Sequence, residues 1–138
     1  MATRHNLIDY VTIASTGNSS DFGDLTVARD SAPTGVTNDT RGAFGGGTGG
    51  SPAANLDTID YINIASTGNA SDFGDLTAGV AYARGNSDGT KGVWAGGDID
   101  SYSNVIEYIT ISTTGNASDF GDLLGSYETG GAASGSAS

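Results

Sequence analysis

The chain has 138 residues, including 23 glycines and no cysteine, and its 16 acidic and five basic side chains leave a formal net charge of −11. These values predict one domain held together without disulfides or thiolate metal sites, and the negative charge disfavours nucleic acid and membrane surfaces as partners. We expect no signal peptide and no membrane span, because the N-terminal segment lacks an apolar stretch and long apolar runs do not occur.

One pattern, Ser-Thr-Gly-Asn-x-Ser-Asp-Phe-Gly-Asp-Leu, occurs three times, with Thr as the first residue of the third copy. The copies begin at Ser15, Ser66 and Thr113. An Ile-Asp/Glu-Tyr segment precedes each copy, and the repeat length is 51 residues from Tyr10 to Tyr61 and 47 residues from Tyr61 to Tyr108. The chain is therefore predicted to be a tandem array of one structural unit.

The first predicted strand is Leu7 to Ala14, which is rich in β-branched and aromatic residues. Its apolar side chains alternate onto both faces, with Ile8 and Tyr10 on one and Val11 and Ile13 on the other. The segments around Tyr61 and Tyr108 repeat this pattern. A strand with two apolar faces is expected to be covered on both sides, so each unit should pack between neighbours.

A hairpin loop and a short outer strand are expected next in each unit. The Gly-Asn pair at Gly17 tolerates positive φ and supports the loop, and Asp-Phe-Gly-Asp-Leu forms the outer strand with Phe and Leu inward. Two further strands follow in chain order. One is made of small residues, at Ser31 to Val36 and again at Ala78 to Ala83, and the other ends in a glycine pair, at Thr40 to Gly47 and Thr90 to Gly97.

The four strands define the predicted fold: an all-β chain of kelch-like β-propeller blades, each a four-stranded antiparallel unit. The predicted divisions are a partial blade at 1–25, full blades at 26–76 and 77–123, and a Gly/Ala/Ser-rich tail at 124–138 that can add one strand to a further blade. Because closed propellers need about four blades or more, the blades are expected to be completed by oligomerisation.

The repeat resembles two groups of known sequences. Trp94-Ala-Gly-Gly97 and Phe44-Gly-Gly46, each followed by a spaced Tyr, resemble kelch repeats. More closely, the segment from Tyr108 to Leu123 and the Thr-Arg-Gly-x-Phe-Gly-Gly-Gly segment resemble kelch-like repeats in structural proteins of tailed bacteriophages. The resemblance covers nearly the whole chain and implies a virion fibre, tail or decoration protein with no catalytic residues.

Several residues invite a functional interpretation that the repeat already explains. The acid pairs at Asp21/Asp24, Asp72/Asp75 and Asp119/Asp122 could bind Ca²⁺, but their spacing matches no known calcium loop and turn chemistry accounts for them. A glycosidase would need one carboxylate pair across a cleft, not a pair in every unit. The single histidine, His5, lies in a segment expected to be frayed and has no second member for a triad or metal site. The Asn-x-Ser/Thr sequons, which could mark glycosylation sites, fall mostly in the Gly-Asn hairpin turns, which already explain them.

We therefore predict a protein that is not an enzyme and needs no metal or cofactor. The expected partners are other copies of the chain, other virion proteins and, in the alternative, a host-surface glycan; neither nucleic acid nor a membrane is expected. The predicted function is a non-enzymatic structural protein of a virion, which would place it in an extracellular particle. The alternative is a carbohydrate- or receptor-binding propeller module, with Trp94 and Tyr102 as ligand contacts. The predicted repeat core comprises Tyr10, Phe22, Leu25, Phe44, Tyr61, Phe73, Leu76, Trp94, Tyr108, Phe120 and Leu123.

Overall fold

The computed structural model describes residues 3–31 and 33–128. Within these ranges the regular secondary structure consists of strands, with no helix. None of the described segments is a helix long and apolar enough to cross a membrane. The strands are β1 (His5–Tyr10), β2 (Ser20–Asp30), β3 (Thr34–Thr37), β4 (Arg41–Gly45), β5 (Thr48–Gly49), β6 (Ala54–Asn55), β7 (Thr58–Asn63), β8 (Ser71–Asp75), β9 (Arg84–Ser87), β10 (Lys91–Ala95), β11 (Ser103–Thr110) and β12 (Ser118–Tyr127).

The described strands form three antiparallel sheets of four strands each. The first sheet has the order β1-β2-β5-β6, the second β3-β4-β7-β8 and the third β9-β10-β11-β12. The second sheet contains the four predicted strands in the predicted order, from the small-residue strand to the Asp-Phe-Gly-Asp strand. The third sheet has the same order, with β9 as its first strand in place of the one predicted at Ala78 to Ala83. The all-β class and the four-stranded antiparallel unit are thus confirmed.

Each hairpin that joins the Tyr strand to the outer strand has the same irregularity. The register shifts between Ile8 and Asp9 in β1, and at the equivalent Ile-acid step in β7 and β11. An extra residue therefore lies on the outer strand, and that residue is the Phe of the repeat. The Phe ring packs edge-on against the Tyr of the same unit, with centroids 5.8–5.9 Å apart in all three copies.

Some predicted strand positions were wrong. The segment from Ala78 to Ala83 is not a strand, because it crosses from one sheet to the next, with its own Val80 and Ala83 side chains buried. The strand β9 begins only at Arg84. The strand predicted at Leu7 to Ala14 ends at Tyr10, and the remaining residues enter the hairpin loop. His5 is not frayed, since it begins β1 and pairs with Arg29.

The first sheet and the chain end also differ from expectation. The loop after Thr48 contributes β5 and β6, which extend the first sheet beyond β2. Leu124 to Tyr127 continues the outer strand β12 and does not form a separate strand. The rest of the predicted tail, residues 129–138, lies outside the described residues.

The predicted glycine pairs end β4 and β10 as expected. Gly46 and Gly47, like their counterparts Gly96 and Gly97, have positive φ, between 66° and 98°. A Cβ at Gly97 would lie 2.6 Å from Ala81 O, so the missing side chain lets the crossing segment approach the sheet. The Gly47 N–H donates to Val80 O in the crossing segment, and the Gly97 N–H donates to Tyr127 O at the end of β12, the equivalent position of the repeat.

The main hydrophobic core lies between the second and third sheets. Val36, Ala43, Ile59 and Phe73 of the second sheet share one buried cluster with residues of the third sheet, namely Trp94, Ile109 and Ile111. Large side chains face glycines across this core: a Cβ at Gly45 would lie 2.9 Å from the Trp94 ring, and one at Gly92 would overlap Val36. The sheets therefore approach closely only because these two positions carry no side chain.

Candidate functional site: the joints between sheets

The contacts between consecutive sheets form a repeated structure, which we call a joint. The first joint connects the first and second sheets, and the second joint connects the second and third. In the first joint, the N–H groups of Gly68 and Ala70 donate to the carbonyls of Phe22 and Asp24, at 2.7 and 2.8 Å. The loop of one unit is thus hydrogen-bonded to the outer strand of the unit before it.

The second joint repeats these bonds with the next copy of the sequence. Gly115 N–H donates to Phe73 O and Ala117 N–H to Asp75 O, both at 2.8 Å. The same pair of donors and the same pair of acceptors are therefore used at both joints, at equivalent positions of the repeat.

The asparagine of each Gly-Asn pair adds a third bond in the opposite direction. Asp24 N–H donates to Asn69 Oδ1, and Asp75 N–H donates to Asn116 Oδ1, both at 3.1 Å. The sequence indicates only a role within the turn for these asparagines. Their side chains also hold the neighbouring sheet, which explains why the loop repeats Asn as well as Gly.

The glycine of the Asp-Phe-Gly-Asp strand permits the close approach at each joint. A Cβ at Gly74 would lie 2.5 Å from Gly115 O, and a Cβ at Gly23 would overlap the backbone of Gly68. Both glycines also have positive φ, 144° and 148°. Gly121 has the same backbone conformation at φ 140°, but a Cβ there would meet no described atom within 4 Å. The third copy of this surface is therefore open.

The acid of the Ile-Asp/Glu-Tyr segment forms the last shared element of the joints. Asp60 accepts the Thr26 N–H at 3.3 Å, and Glu107 accepts the Thr77 N–H at 2.7 Å. Both acids are buried. Each carboxylate thus accepts the backbone N–H of the residue that follows the Asp-Phe-Gly-Asp-Leu segment of the preceding unit.

Asp60 has a second partner that only the first joint contains. The buried Arg29 donates to the Asp60 carboxylate and also to Gly46 O and Thr58 O, at 2.9 and 3.1 Å. Burial lowers the pKa of Arg29, and the Asp60 charge opposes that change. The sequence predicts a carboxylate or a loop carbonyl as the partner of Arg29, and the structure confirms both. It does not indicate which carboxylate, because Val80 and Tyr127 occupy the equivalent positions of the other units.

Burial of the repeat aromatics separates the internal joints from the chain ends. Phe22 and Phe73 are covered by the next sheet, whereas no sheet of the described residues follows Phe120; Phe73 is 2% exposed and Phe120 is 56% exposed. At the opposite end Ile13 is 96% exposed, compared with 46% for Ile64 and 0% for Ile111, its equivalents in the second and third units. The array therefore has two open apolar ends that correspond to the two halves of a joint.

The predicted core residues fall into three groups by burial. Phe22, Phe73, Leu76 and Trp94 are buried. Leu25, Phe44, Tyr61, Tyr108 and Leu123 are half-buried. Tyr10 and Phe120 were predicted in the core but are exposed, because within the described residues the first sheet has no counterparts of β3 and β4 and no sheet follows the third.

The two predicted ligand contacts differ sharply. The prediction that Trp94 contacts a ligand was wrong, because its side chain is buried in the core and its indole N–H donates to Thr34 O at 3.0 Å. Tyr102 is 59% exposed on the loop after the glycine pair.

The repeated basic residues, Arg41 and Lys91, lie over aromatic rings, and Arg41 also donates to the carbonyl of Ile111 at 3.3 Å. The Arg41 guanidinium lies 4.6 Å from the Tyr61 ring centroid, and the Lys91 ammonium lies 4.5 Å from that of Tyr108. Across residues 3–31 and 33–128, no group of three or more His, Asp or Glu side chains is arranged as metal ligands would be. The acid pairs of the outer strand lie beside the joint. The second acid of each internal pair, Asp24 or Asp75, forms the joint's hydrogen bonds through its backbone N–H and carbonyl.

The geometry defines an all-β repeat protein of three four-stranded antiparallel sheets connected by two equivalent joints. No protein-family model matches the chain, and no curated protein matches it significantly.

Proposed function

We propose that this protein is a non-enzymatic structural component of a bacteriophage virion, a fibre, tail or decoration protein, and that its copies assemble through the open ends of the array. The observation that carries the proposal is the contrast between Phe73, buried at an internal joint, and Phe120, exposed at the equivalent place of the last sheet. Exposed apolar faces of this kind are a liability for an isolated chain and are normally covered by a partner.

The strand order supports the finer assignment to kelch-like propeller blades. In the second and third sheets the small-residue strand is at one edge, the glycine-pair strand follows, and the Asp-Phe-Gly-Asp strand is at the other edge. This is the order expected of a blade that runs from a central axis outward. Further blades from other copies would continue the array.

The assignment to a virion rests on the resemblance of the repeat to phage structural proteins, and the joints fit that use. Their polar groups recur from unit to unit and hydrogen-bond one sheet to the next, which gives a rigid array without disulfides. A mechanical role requires repeated contacts, whereas catalysis requires a single arrangement of groups. The protein would act in the extracellular particle, with itself and other virion proteins as partners.

A glycan- or receptor-binding module remains the second candidate because of one exposed aromatic side chain. Tyr102 protrudes from the loop Asp98 to Ser103, and the nearby Ile99 is also exposed. An exposed aromatic ring on a loop is a common platform for a sugar ring. Tyr102→Ala would abolish binding on a glycan array if this candidate is correct, whereas it would leave assembly unchanged.

Electron microscopy of the purified protein tests the main proposal. Regular rings or filaments, with no binding on the glycan array, are the expected result. Particles of single-chain size at every protein concentration would contradict a self-assembling structural role, and glycan binding lost in Tyr102→Ala would favour the second candidate.

A further inference from the structure

We propose that two copies of this chain join head to tail through a third joint, with the outer strand of the third sheet in one copy bound to the first hairpin loop of the next. The inference rests on the proposed self-assembly and names the contacts that produce it. It differs from strand exchange, because every strand stays in its own sheet and only a loop and two apolar faces meet.

The C-terminal end of the array presents the accepting half of the joint. Phe120 O and Asp122 O correspond to the carbonyls that accept the loop N–H groups at the first and second joints. Gly121 between them has the backbone conformation of Gly23 and Gly74, and the space beside it is empty of described atoms. A hairpin loop from another copy can therefore approach this strand as closely as the internal loops do.

The N-terminal end presents the donating half. Gly17, Asn18 and Ser19 occupy the positions of Gly68, Asn69 and Ala70 in the repeat. They are exposed, and within the described ranges the N–H groups of Gly17 and Ser19 have no acceptor. The equivalence assigns Gly17 N–H to Phe120 O, Ser19 N–H to Asp122 O, and Asp122 N–H to Asn18 Oδ1 of the neighbouring copy.

A fourth bond follows from the repeated acid. Asp9 is the counterpart of Asp60 and Glu107, and Leu124 is the counterpart of the Thr26 and Thr77 that donate to them. Asp9 is exposed, and within the described ranges its carboxylate accepts one long hydrogen bond, 3.5 Å from Ser19 Oγ. Its carboxylate is therefore available to accept the Leu124 N–H of the preceding copy.

The apolar surfaces of the two ends correspond in the same way. At the second joint Phe73 shares a buried cluster with Ile109 and Ile111. The equivalent residues of the proposed joint are Phe120 on one copy and Val11 and Ile13 on the next, and all three are exposed in the single chain. Association would cover them with side chains of the type that already pack together inside the chain.

The test compares the assembly of the wild-type chain with that of the double variant Asp9→Ala/Asn18→Ala, by sedimentation across a series of protein concentrations. Both side chains are exposed, so the variant is expected to keep the fold, which its circular dichroism spectrum and melting temperature check. Losing one neutral and one charged hydrogen bond should weaken association by about 100-fold. Asp39→Ala, at an exposed turn away from both ends, is the matched control and should assemble as the wild type does.

The outcomes distinguish the joint from the proposed function. A wild type that assembles and a variant that dissociates would support the joint. Charge alone cannot produce this result, because removing an acid from a chain of net charge −11 lowers the repulsion between copies. An assembling wild type with an equally assembling variant would overturn the joint and leave self-assembly standing. A wild type that stays monomeric would overturn both.

Cysteine cross-linking tests the head-to-tail direction, since the chain has no cysteine of its own. The variants Asn18→Cys and Asp122→Cys, mixed and oxidised, should give mixed dimers well above the statistical half. The intrachain pair Asp24→Cys/Asn69→Cys is the matched control for the geometry, because the same bond connects these positions at the first joint. A statistical mixture of dimers would overturn the head-to-tail direction.

Discussion

Replacing Asp60 with alanine should strongly destabilise the fold, because it leaves a buried arginine without its counter-charge. The side chains of Asp60 and Arg29 are both fully buried, and the carboxylate also accepts the backbone N–H and the hydroxyl of Thr26. Removing one partner of a buried ion pair costs about 3–5 kcal/mol. The lost Thr26 bonds act in the same direction, so we expect about 4–5 kcal/mol for Asp60→Ala, a large part of the stability of a typical domain.

Urea unfolding measures this change, with the single buried Trp94 as the fluorescent reporter. The double variant Arg29→Met/Asp60→Leu removes both charges and should recover most of the loss. Asp30→Ala is the control, since Asp30 pairs with Arg4 at 3.4 Å near the surface and should cost less than about 1 kcal/mol. The reasoning is refuted if Asp60→Ala costs no more than Asp30→Ala.

Two further predictions concern a turn and a joint. The N–H groups of Lys91 and Thr90 donate to the Asp88 carboxylate and lower its pKa. The stability that this carboxylate contributes is therefore present above about pH 4, the pKa of an unfolded aspartate. It is lost as the pH falls through the lower pKa of the folded state. Asp88→Asn should keep the turn, as Asn38 does at the equivalent place, and flatten the fall of the melting temperature in acid; parallel pH curves for variant and wild type would contradict this. Gly74→Ala should destabilise the monomer by about 1–3 kcal/mol more than Gly121→Ala, because both distort a positive φ but only the first also meets a neighbouring carbonyl. Equal costs in denaturant unfolding would show that close approach at the joint is unimportant.

The repeat in the sequence was sufficient to predict the four-stranded unit, because glycine pairs, Gly-Asn turns and alternating apolar residues each specify local geometry. The glycine pairs at Gly46 and Gly96 end their strands as the sequence indicated, and a neighbouring backbone carbonyl approaches each of them closely. The Tyr and Phe of each unit also lie together, since the hairpin brings their strands side by side. Local chemistry of this kind is encoded in neighbouring residues.

The features that sequence reasoning missed depend on contacts between units. Val80 and Tyr127 stand at the positions equivalent to Arg29, so the periodicity does not indicate that Asp60 of the second sheet is the carboxylate that Arg29 reaches. Val80 and Tyr82 alternate as a strand would, yet the crossing between sheets buries Val80 and places Tyr82 at a positive φ of 59°. Phe120 matches buried residues in sequence and Tyr10 matches half-buried ones, but both are exposed because they lie on the outer sheets of the described array. Position within the array, which a repeat does not state, decides each of these outcomes.

Sedimentation velocity of the unmodified chain over a wide range of concentrations measures most directly whether its two ends fit one another. The account predicts species that grow beyond a single chain as concentration rises, and that grow further with added salt, because salt screens the repulsion between chains of net charge −11. A single species of one-chain mass at all concentrations and salt levels would contradict it.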